Sequence, residues 1–302
     1  METFHSNGKL LLTGEYLVLH GAVALALPTK LGQTLTVYNY LDDLMQWDAY
    51  QPDGKWFSAR ITPDTLEVDE TDNPIKAERL VQILQAVREL NPQVLQQGLH
   101  FETRLEFDPS WGLGSSSTLI NNLAQWAGVN PYELLVLTFG GSGYDIACAR
   151  AEGPILYKII DHKPGTAKAN FNPPYADHLF FVYQGHKQTS STEVKDFNER
   201  FNPAEHQDDM ETVSQISATL PHITKYEEFE SLMLLHEVCI ARCTGKTMVQ
   251  KEYPDFPGQL KSLGAWGGDF LMAITQQPFE QVKAYFHDKG MNTIFRYKDL
   301  IL

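Results

Sequence analysis

One stretch constrains this chain more than any other: Trp111-Gly112-Leu113-Gly114-Ser115-Ser116-Ser117-Thr118. Before it, residues 98–107 alternate, with Leu99, Phe101, Thr103, Leu105 and Phe107 on one face, which predicts a strand. After it, residues 119–127 read as a helix that Gly128 ends. Glycines let a backbone turn tightly and approach a ligand closely. The open N–H groups at a helix start, with the dipole behind them, favour an anion. Serine and threonine hydroxyls add hydrogen bonds or an oxygen for a hard cation. On these residues alone, both a phosphate cradle and a plain N-capped helix after a glycine turn stay open. A Walker A loop is excluded, because no Gly-Lys-Ser/Thr follows the glycines.

A chain of 302 residues holds one large or two ordinary domains. The formal net charge of −14 argues against a general nucleic-acid or anionic-membrane surface, though not against a local positive site. Cys148, Cys239 and Cys243 make no disulfide framework and fit a reducing compartment. The N-terminus lacks the apolar core of a signal peptide, and the most apolar run, residues 17–27, is too short to span a bilayer. A cytoplasmic protein is expected, with no nucleic-acid or membrane partner.

Glycine-punctuated apolar runs at 9–13, 16–19 and 23–27, then partial alternation over 31–40, predict a β-rich opening. Pro52-Asp53-Gly54 turns between two candidate strands within 48–61. Helical spacing follows Asn73-Pro74 and ends at Asn91-Pro92, and a second helix opens at Asn130-Pro131. Residues 155–160 read as a strand. The irregular, proline- and lysine-rich residues 161–177 suggest a domain connection, so the expected domains are 1–165 and 166–302. Later residues alternate strands (178–183, 270–274, 293–297) with helical patterns (193–201, 208–220, 226–243, 279–289). His236, Cys239 and Cys243 lie near one face of a helix, where core packing is the expected role. Trp111 is expected to be a buried anchor.

Four polar, glycine-bearing segments each end an apolar run. They are Gly8-Lys9 with Thr13-Gly14-Glu15; Gly112 to Thr118; Ser142-Gly143-Tyr144-Asp145; and Gly264-Ala265-Trp266-Gly267-Gly268. Singly, each has a plain reading: Lys9 a solvated strand end, Glu15 a turn residue, Asp145 a helix cap. Jointly and in this order they resemble the motifs of the GHMP kinases, the family of galactokinase, homoserine kinase, mevalonate kinase and phosphomevalonate kinase. The likeness runs from about residue 7 to about residue 275. Gly185 to Val194, with Lys187, Ser191 and Thr192, is similar to the acceptor-side segment of the mevalonate-pathway members. Gly143-Tyr144-Asp145-Ile146-Ala147 is similar to a bacterial subgroup named for those letters.

The resemblance implies an α+β, two-lobed GHMP kinase fold, with an S5-like N-terminal lobe that binds ATP and a ferredoxin-like C-terminal lobe. It implies ATP and Mg²⁺ as cofactors, Asp145 and Lys9 as catalytic residues, and Gly112, Leu113, Gly114, Ser115, Ser116, Ser117 and Thr118 as the phosphate loop. Ser115 and Ser116 are the expected metal ligands. Glu15, Ser142, Gly143, Lys187, Ser191, Thr192, Gly264, Ala265, Trp266 and Gly267 are the expected acceptor-side residues. Phosphoryl transfer needs cradled phosphates, a cation on the developing charge and an oriented hydroxyl. Asp145 can orient that hydroxyl and take its proton, and Lys9 can offset charge on the moving group.

The sequence departs from the family pattern at Tyr16, where histidine is usual, and at Trp266, where a small residue is usual. Glu133 lies early in its helix for a second metal ligand. The Trp266 indole is expected to narrow or close the acceptor pocket, and Asp269 puts a carboxylate beside the glycines. The expected activity is an ATP-dependent kinase for a small anionic metabolite, mevalonate or phosphomevalonate first. A non-turnover nucleotide or metabolite sensor on the same scaffold, and a homoserine or sugar kinase, are the alternatives. A homodimer is among the expected assemblies.

Overall fold

The computed structural model describes residues 1–39, 42–185, 190–266 and 268–302, without the side chains of Ser190 and Ser191. In chain order the elements are β1 (Glu2–Leu11), β2 (Ala24–Asn39), β3 (Met45–Gln51), β4 (Gly54–Ile61), β5 (Val68–Thr71), α1 (Pro74–Leu90), β6 (Leu99–Leu105), α2 (Ser115–Ala127), α3 (Pro131–Thr138), α4 (Tyr144–Ala149), β7 (Ile155–Ile160) and β8 (Lys163–Lys168). There follow β9 (Leu179–Tyr183), α5 (Ser190–Arg200), α6 (Gln207–Thr219), α7 (Tyr226–Thr244), β10 (Gln259–Ser262), β11 (Phe270–Ile274), α8 (Phe279–His287), β12 (Ile294–Arg296) and α9 (Tyr297–Leu300). No helix among the described residues is long and apolar enough to cross a membrane.

Three segments depart from the expected elements. The runs at 23–27 and 31–40 are one strand, β2, which passes through Pro28 without a break. The run at 16–19 is instead a 3-10 turn over Leu17–His20, closed by left-handed Gly21 at φ 88°. Short apolar runs carry no period that tells a turn of helix from a strand. The irregular segment after residue 160 is a hairpin: β8 pairs antiparallel with β7 from Ile155↔Lys168 to Ile160↔Lys163.

The chain forms two compact, interleaved units. One comprises Met1–Gly8, Leu31–Pro109 and Leu113–Arg150, the other Lys9–Lys30, Ser110–Gly112 and Ala151–Leu302. Their limits follow the strand pairing: β7 joins the first half of β2 (Ala24↔Tyr157 to Ala26↔Ile155) while the second half of β2 pairs with β6.

In the first unit the strands run β5-β4-β3-β6-β2. All pair antiparallel except β3 with β6. Trp47, Phe57, Phe101, Leu80, Leu84, Ile120 and Leu123 build its core from the sheet and from α1 and α2. The capping of α1 follows the sequence: Asn73 accepts the Lys76 N–H at 3.1 Å, and Pro74 starts the helix. The second unit holds the antiparallel sheet β10-β11-β9-β12. Phe180, Val182, Leu271, Val282 and Phe286 pack α8 against it.

The inward face of α2 is not wholly apolar. Thr118, Asn121 and Asn122, three and four residues apart, are each 0% exposed. Thr118 Oγ1 donates to Gln33 Oε1 at 2.7 Å, and Asn122 Nδ2 donates to the Gln33 carbonyl at 2.9 Å. Ser6 Oγ donates to Asn122 Oδ1 at 2.6 Å and accepts from Asn121 Nδ2 at 2.8 Å. These bonds fix α2 on β1 and β2 in rotation and in height, which apolar contacts alone, being non-directional, would not do. We expect Asn122→Ala, which strips a buried partner from Ser6 and Gln33, to cost about 1–3 kcal/mol in urea unfolding. A loss below about 0.5 kcal/mol would show that this network does not fix the helix.

Candidate active site

The glycine-serine stretch folds as its composition demands. Gly112 and Gly114 adopt φ 70° and 92°, left-handed values that a side chain disfavours. Helix α2 opens at Ser115, and its first backbone bond runs from Thr118 N to the Gly114 carbonyl at 3.0 Å. The N–H groups of Ser115, Ser116 and Ser117 therefore stand at the open end of a thirteen-residue helix. The hydroxyls divide. Ser117 and Thr118 turn back onto the Gly114 carbonyl at 2.9 and 3.0 Å, and Leu113 is fully buried, so these three shape the loop. Ser115 is half-buried and Ser116 exposed, and neither hydroxyl is tied to a described residue.

Helix α4, which packs on α2 in the same unit, carries the candidate base. Gly143 caps it at φ 82°. Asp145 lies in the first turn, half-buried, its Oδ1 accepting the Ile146 N–H at 3.0 Å. Ser142, half-buried, precedes the cap. Glu133 is exposed at the head of α3, where Asn130 Nδ2 approaches it at 3.4 Å.

In the second unit, Lys9 Nζ donates to the Gly112 carbonyl at 2.8 Å. The other side of Gly112 faces Asp269: a Cβ there would lie 2.5 Å from its Cγ. Only glycine leaves room for that carboxylate, which also lies close to left-handed Gly264. Lys9, Gly112 and Asp269 thus meet, although they come from three different segments. Trp111 is half-buried, edge-on to Phe270 and Phe295 at centroid distances of 6.5 and 5.4 Å.

Glu15, expected on the acceptor side, is 1% exposed, with its carboxylate fully buried. Its Oε1 accepts from Lys261 Nζ at 2.5 Å, and Lys261 is 0% exposed. Its Oε2 lies 3.2 Å from His236 Nε2, the same nitrogen that accepts the Gly14 N–H at 3.0 Å. Next on α7, Glu237 accepts from both Ser262 N and Ser262 Oγ, at 3.2 and 2.9 Å. Burial raises Glu15 from 4.5 to about 7 against the pull of Lys261. Burial also raises Glu237, and burial with the Lys261 charge holds His236 well below 6.5. His236 Nε2, whose single lone pair takes the Gly14 N–H, offers no acceptor to a proton on Glu15 Oε2, and that buried oxygen has no hydrogen-bond partner among the described residues.

Tyr16 and Trp266 resolve two of the departures noted in the sequence. Tyr16 is buried at φ 60°, and its hydroxyl donates to the Ala265 carbonyl at 2.5 Å. Lys246 Nζ grips the same point, reaching Ala265 O at 2.9 Å, Tyr16 Oη at 3.2 Å and Glu193 Oε2 at 2.5 Å. Trp266 is 2% exposed at φ 55°. Its indole lies in an apolar cluster with Leu17, Phe197, Val213 and Ile240, so it serves as a core anchor in this unit. Thr192 is exposed on α5, while Lys187, Gly267 and the Ser191 side chain lie outside the described residues. Lys261, His236, Glu237 and Lys246 escape a reading of the sequence. Lysine and glutamate are rarely buried without a partner, and the partners are far away in the chain.

The backbone has known relatives. The crystal structure of mevalonate kinase from Methanococcus jannaschii matches with a TM-score of 0.71 over 97% of this chain and 96% of that one, at 15% identity. Streptococcus pneumoniae phosphomevalonate kinase, in complex with phosphomevalonate and AMPPNP, matches with 0.71 over 98% and 100%, also at 15%. L. major mevalonate kinase in complex with R-mevalonate matches with 0.69 over 98% and 95%, at 18%. The fold is the two-lobed GHMP kinase fold. No protein-family model and no curated protein matches the sequence, so the likeness is carried by the backbone.

On this GHMP scaffold the buried ion pair ties the first glycine segment to the fourth. Lys261→Met strands Glu15 and Glu237 without their cation, and we expect a loss of about 3–5 kcal/mol in urea unfolding. Adding Glu15→Gln should restore most of it; failure to do so would mean that the pair is not the interaction lost. Between pH 4.5 and about 7 the folded chain keeps a proton on Glu15 that the unfolded chain releases, so this group's contribution to stability falls as pH rises. His236 opposes it only below 6.5, where the unfolded chain gains a proton that the folded chain refuses. From pH 6.5 to 8 stability should therefore fall, on the order of 1 kcal/mol from Glu15, and Glu15→Gln should flatten the slope. Equal slopes in wild type and variant would contradict the assignment.

Proposed function

We propose that this chain is an ATP-dependent phosphotransferase that moves the γ-phosphoryl group of ATP to a small anionic acceptor. Mevalonate or phosphomevalonate is the first choice. The observation that carries the reading is the open N-terminus of α2, where the N–H groups of Ser115, Ser116 and Ser117 have no partner within the helix and the half-buried Ser115 and exposed Ser116 stand beside them. That donor set suits a polyphosphate, and hydroxyl oxygens suit Mg²⁺. Ser115 and Ser116 would hold the metal, which supplies positive charge to the phosphates. The GHMP fold supports the same reading, since a phosphomevalonate kinase of this fold was crystallised with AMPPNP and phosphomevalonate.

In this reading, with mevalonate as acceptor, Asp145 orients the hydroxyl and takes its proton as the new P–O bond forms and the bond to the β-phosphate oxygen breaks; with phosphomevalonate the nucleophile is a phosphate oxygen that carries no hydroxyl proton to remove. Asp145 lies in the first turn of α4. Lys9, held on the Gly112 carbonyl, supplies positive charge beside the phosphate loop. Lys187, Ser191 and Thr192, with Ser142, Gly143, Gly264, Ala265 and Gly267, belong to the acceptor side. The sensor alternative rests on Trp266 and Asp269: the burial of the indole among apolar side chains weakens the first support, while the Asp269 carboxylate against Gly112 leaves the second in place.

The test is ADP release with mevalonate, phosphomevalonate, homoserine and galactose, each with and without Mg²⁺. Turnover with one of the first two is expected. ATP binding with no Mg²⁺-dependent turnover on any acceptor would favour the sensor. Asp145→Asn should leave ATP affinity within a few-fold while turnover falls by about 10²–10⁴, the usual loss of a general base. Unchanged turnover in that variant would remove Asp145 from the mechanism.

A further inference from the structure

Helices α6 and α7 bring together a second set of chemically capable side chains that phosphoryl transfer does not use. His206 caps α6 and Asp209 lies in its first turn. Cys243 lies in the last turn of α7. His236, grouped with the cysteines in the sequence, is turned instead toward Gly14 and Glu15. The three ligand atoms of His206, Asp209 and Cys243 all lie within 4.8 Å of one another. His206 Nδ1 is 3.4 Å from Asp209 Oδ2, and Cys243 Sγ is 3.8 Å from the same oxygen.

These separations can be set against a zinc polyhedron. Zinc bonds of about 2.0–2.2 Å to nitrogen and oxygen, and about 2.3 Å to sulfur, at tetrahedral angles, give edges of about 3.4 Å (N···O) and about 3.6 Å (S···O). Two edges of the triangle on α6 and α7, N···O and S···O, are within a few tenths of an ångström of that tetrahedron's, and the third, N···S, is at most 4.8 Å. The donor types agree too, since imidazole, carboxylate and thiolate together suit zinc far better than magnesium or calcium.

The surroundings support ligand duty. The Phe201 ring stacks on the His206 ring at 5.3 Å and 15°, which holds the imidazole's orientation. The Arg242 guanidinium takes Asp209 Oδ1 at 2.5 Å, leaving Oδ2 on the side shared by His206 and Cys243. Such a bond on the outer oxygen is what a ligating carboxylate ordinarily makes. Asp209 is 9% exposed, while His206 and Cys243 are half-buried, so the site is reached from solvent.

We propose that His206, Asp209 and Cys243 form a site for a thiophilic divalent metal of the zinc class, with water in the fourth position. The metal would pin the start of α6 to the end of α7. Those helices hold the first glycine segment, through Ser217 to Thr13 at 2.7 Å and His236 to Gly14 at 3.0 Å. The role is structural and is independent of the Mg²⁺ expected at Ser115 and Ser116.

The test is titration of chelator-treated full-length protein with Co²⁺, read by thiolate-to-cobalt charge-transfer absorption, followed by displacement with Zn²⁺. Wild type should show that band, saturating at one equivalent and lost to Zn²⁺. Cys243→Ser should abolish it, and His206→Ala should weaken binding at least about tenfold. Zn²⁺ should raise the melting temperature of wild type and leave that of Cys243→Ser unchanged. No charge-transfer band in wild type, or an equal band in Cys243→Ser, overturns the proposal. Should Cys243→Ser not fold, unchanged affinity in His206→Ala, a substitution at a partly exposed helix start, does so equally.

Discussion

Everything in the second unit that bears on chemistry depends on two charges buried from water. Glu15 and Lys261 are at most 1% exposed, 246 positions apart in sequence, and joined at 2.5 Å. Moving such ions into an interior costs several kcal/mol each, and only close geometry with further hydrogen bonds offsets it. The neighbours supply those bonds. Lys261 also donates to the Ser262 carbonyl, Glu237 holds the Ser262 N–H and hydroxyl, and His236 takes the Gly14 N–H. One face of α7 thereby holds both the Gly14-Glu15 turn and the strand that leads into Gly264. Glycine segments have little packing of their own, so an external clamp has to define their position.

The first unit fixes its own glycine segment with neutral groups. Thr118, Asn121 and Asn122 bond α2 to Ser6 and Gln33, and the helix cannot turn about its axis without breaking them. The N–H groups at the head of α2 keep their direction only if the helix is held in this way.

Some of the backbone strain lies in the same segments. Tyr16, Trp266 and Asp269 all take positive φ, a conformation disfavoured for side chains of this size, and each is buried. Trp266 stands at a position whose backbone still has the left-handed turn that glycine would give. Its indole is held by Leu17, Phe197 and Val213, while Lys246 holds the neighbouring carbonyls of Ala265 and Trp266. Packing and ion pairing thus replace the conformational freedom that glycine would have supplied.

The sequence by itself determined the local elements. The alternation at 99–107, the Asn73-Pro74 cap, the Pro52-Asp53-Gly54 turn and the Gly-x-Gly-Ser-Ser-Ser head of α2 each rest on interactions within a few residues, which composition and spacing record directly. The order of the four glycine segments carried the fold as well. What the sequence could not determine was which polar side chains turn inward. Lys261 reads like any other lysine, His236 like a core residue beside Cys239 and Cys243, and Trp266 like an obstacle in a pocket. Only the tertiary structure decided these. Burial of a charge or an indole depends on partners supplied from distant segments, such as Glu15 for Lys261, Gly14 for His236 and Leu17 for Trp266, and desolvation is a property of the assembled surroundings that no local pattern encodes.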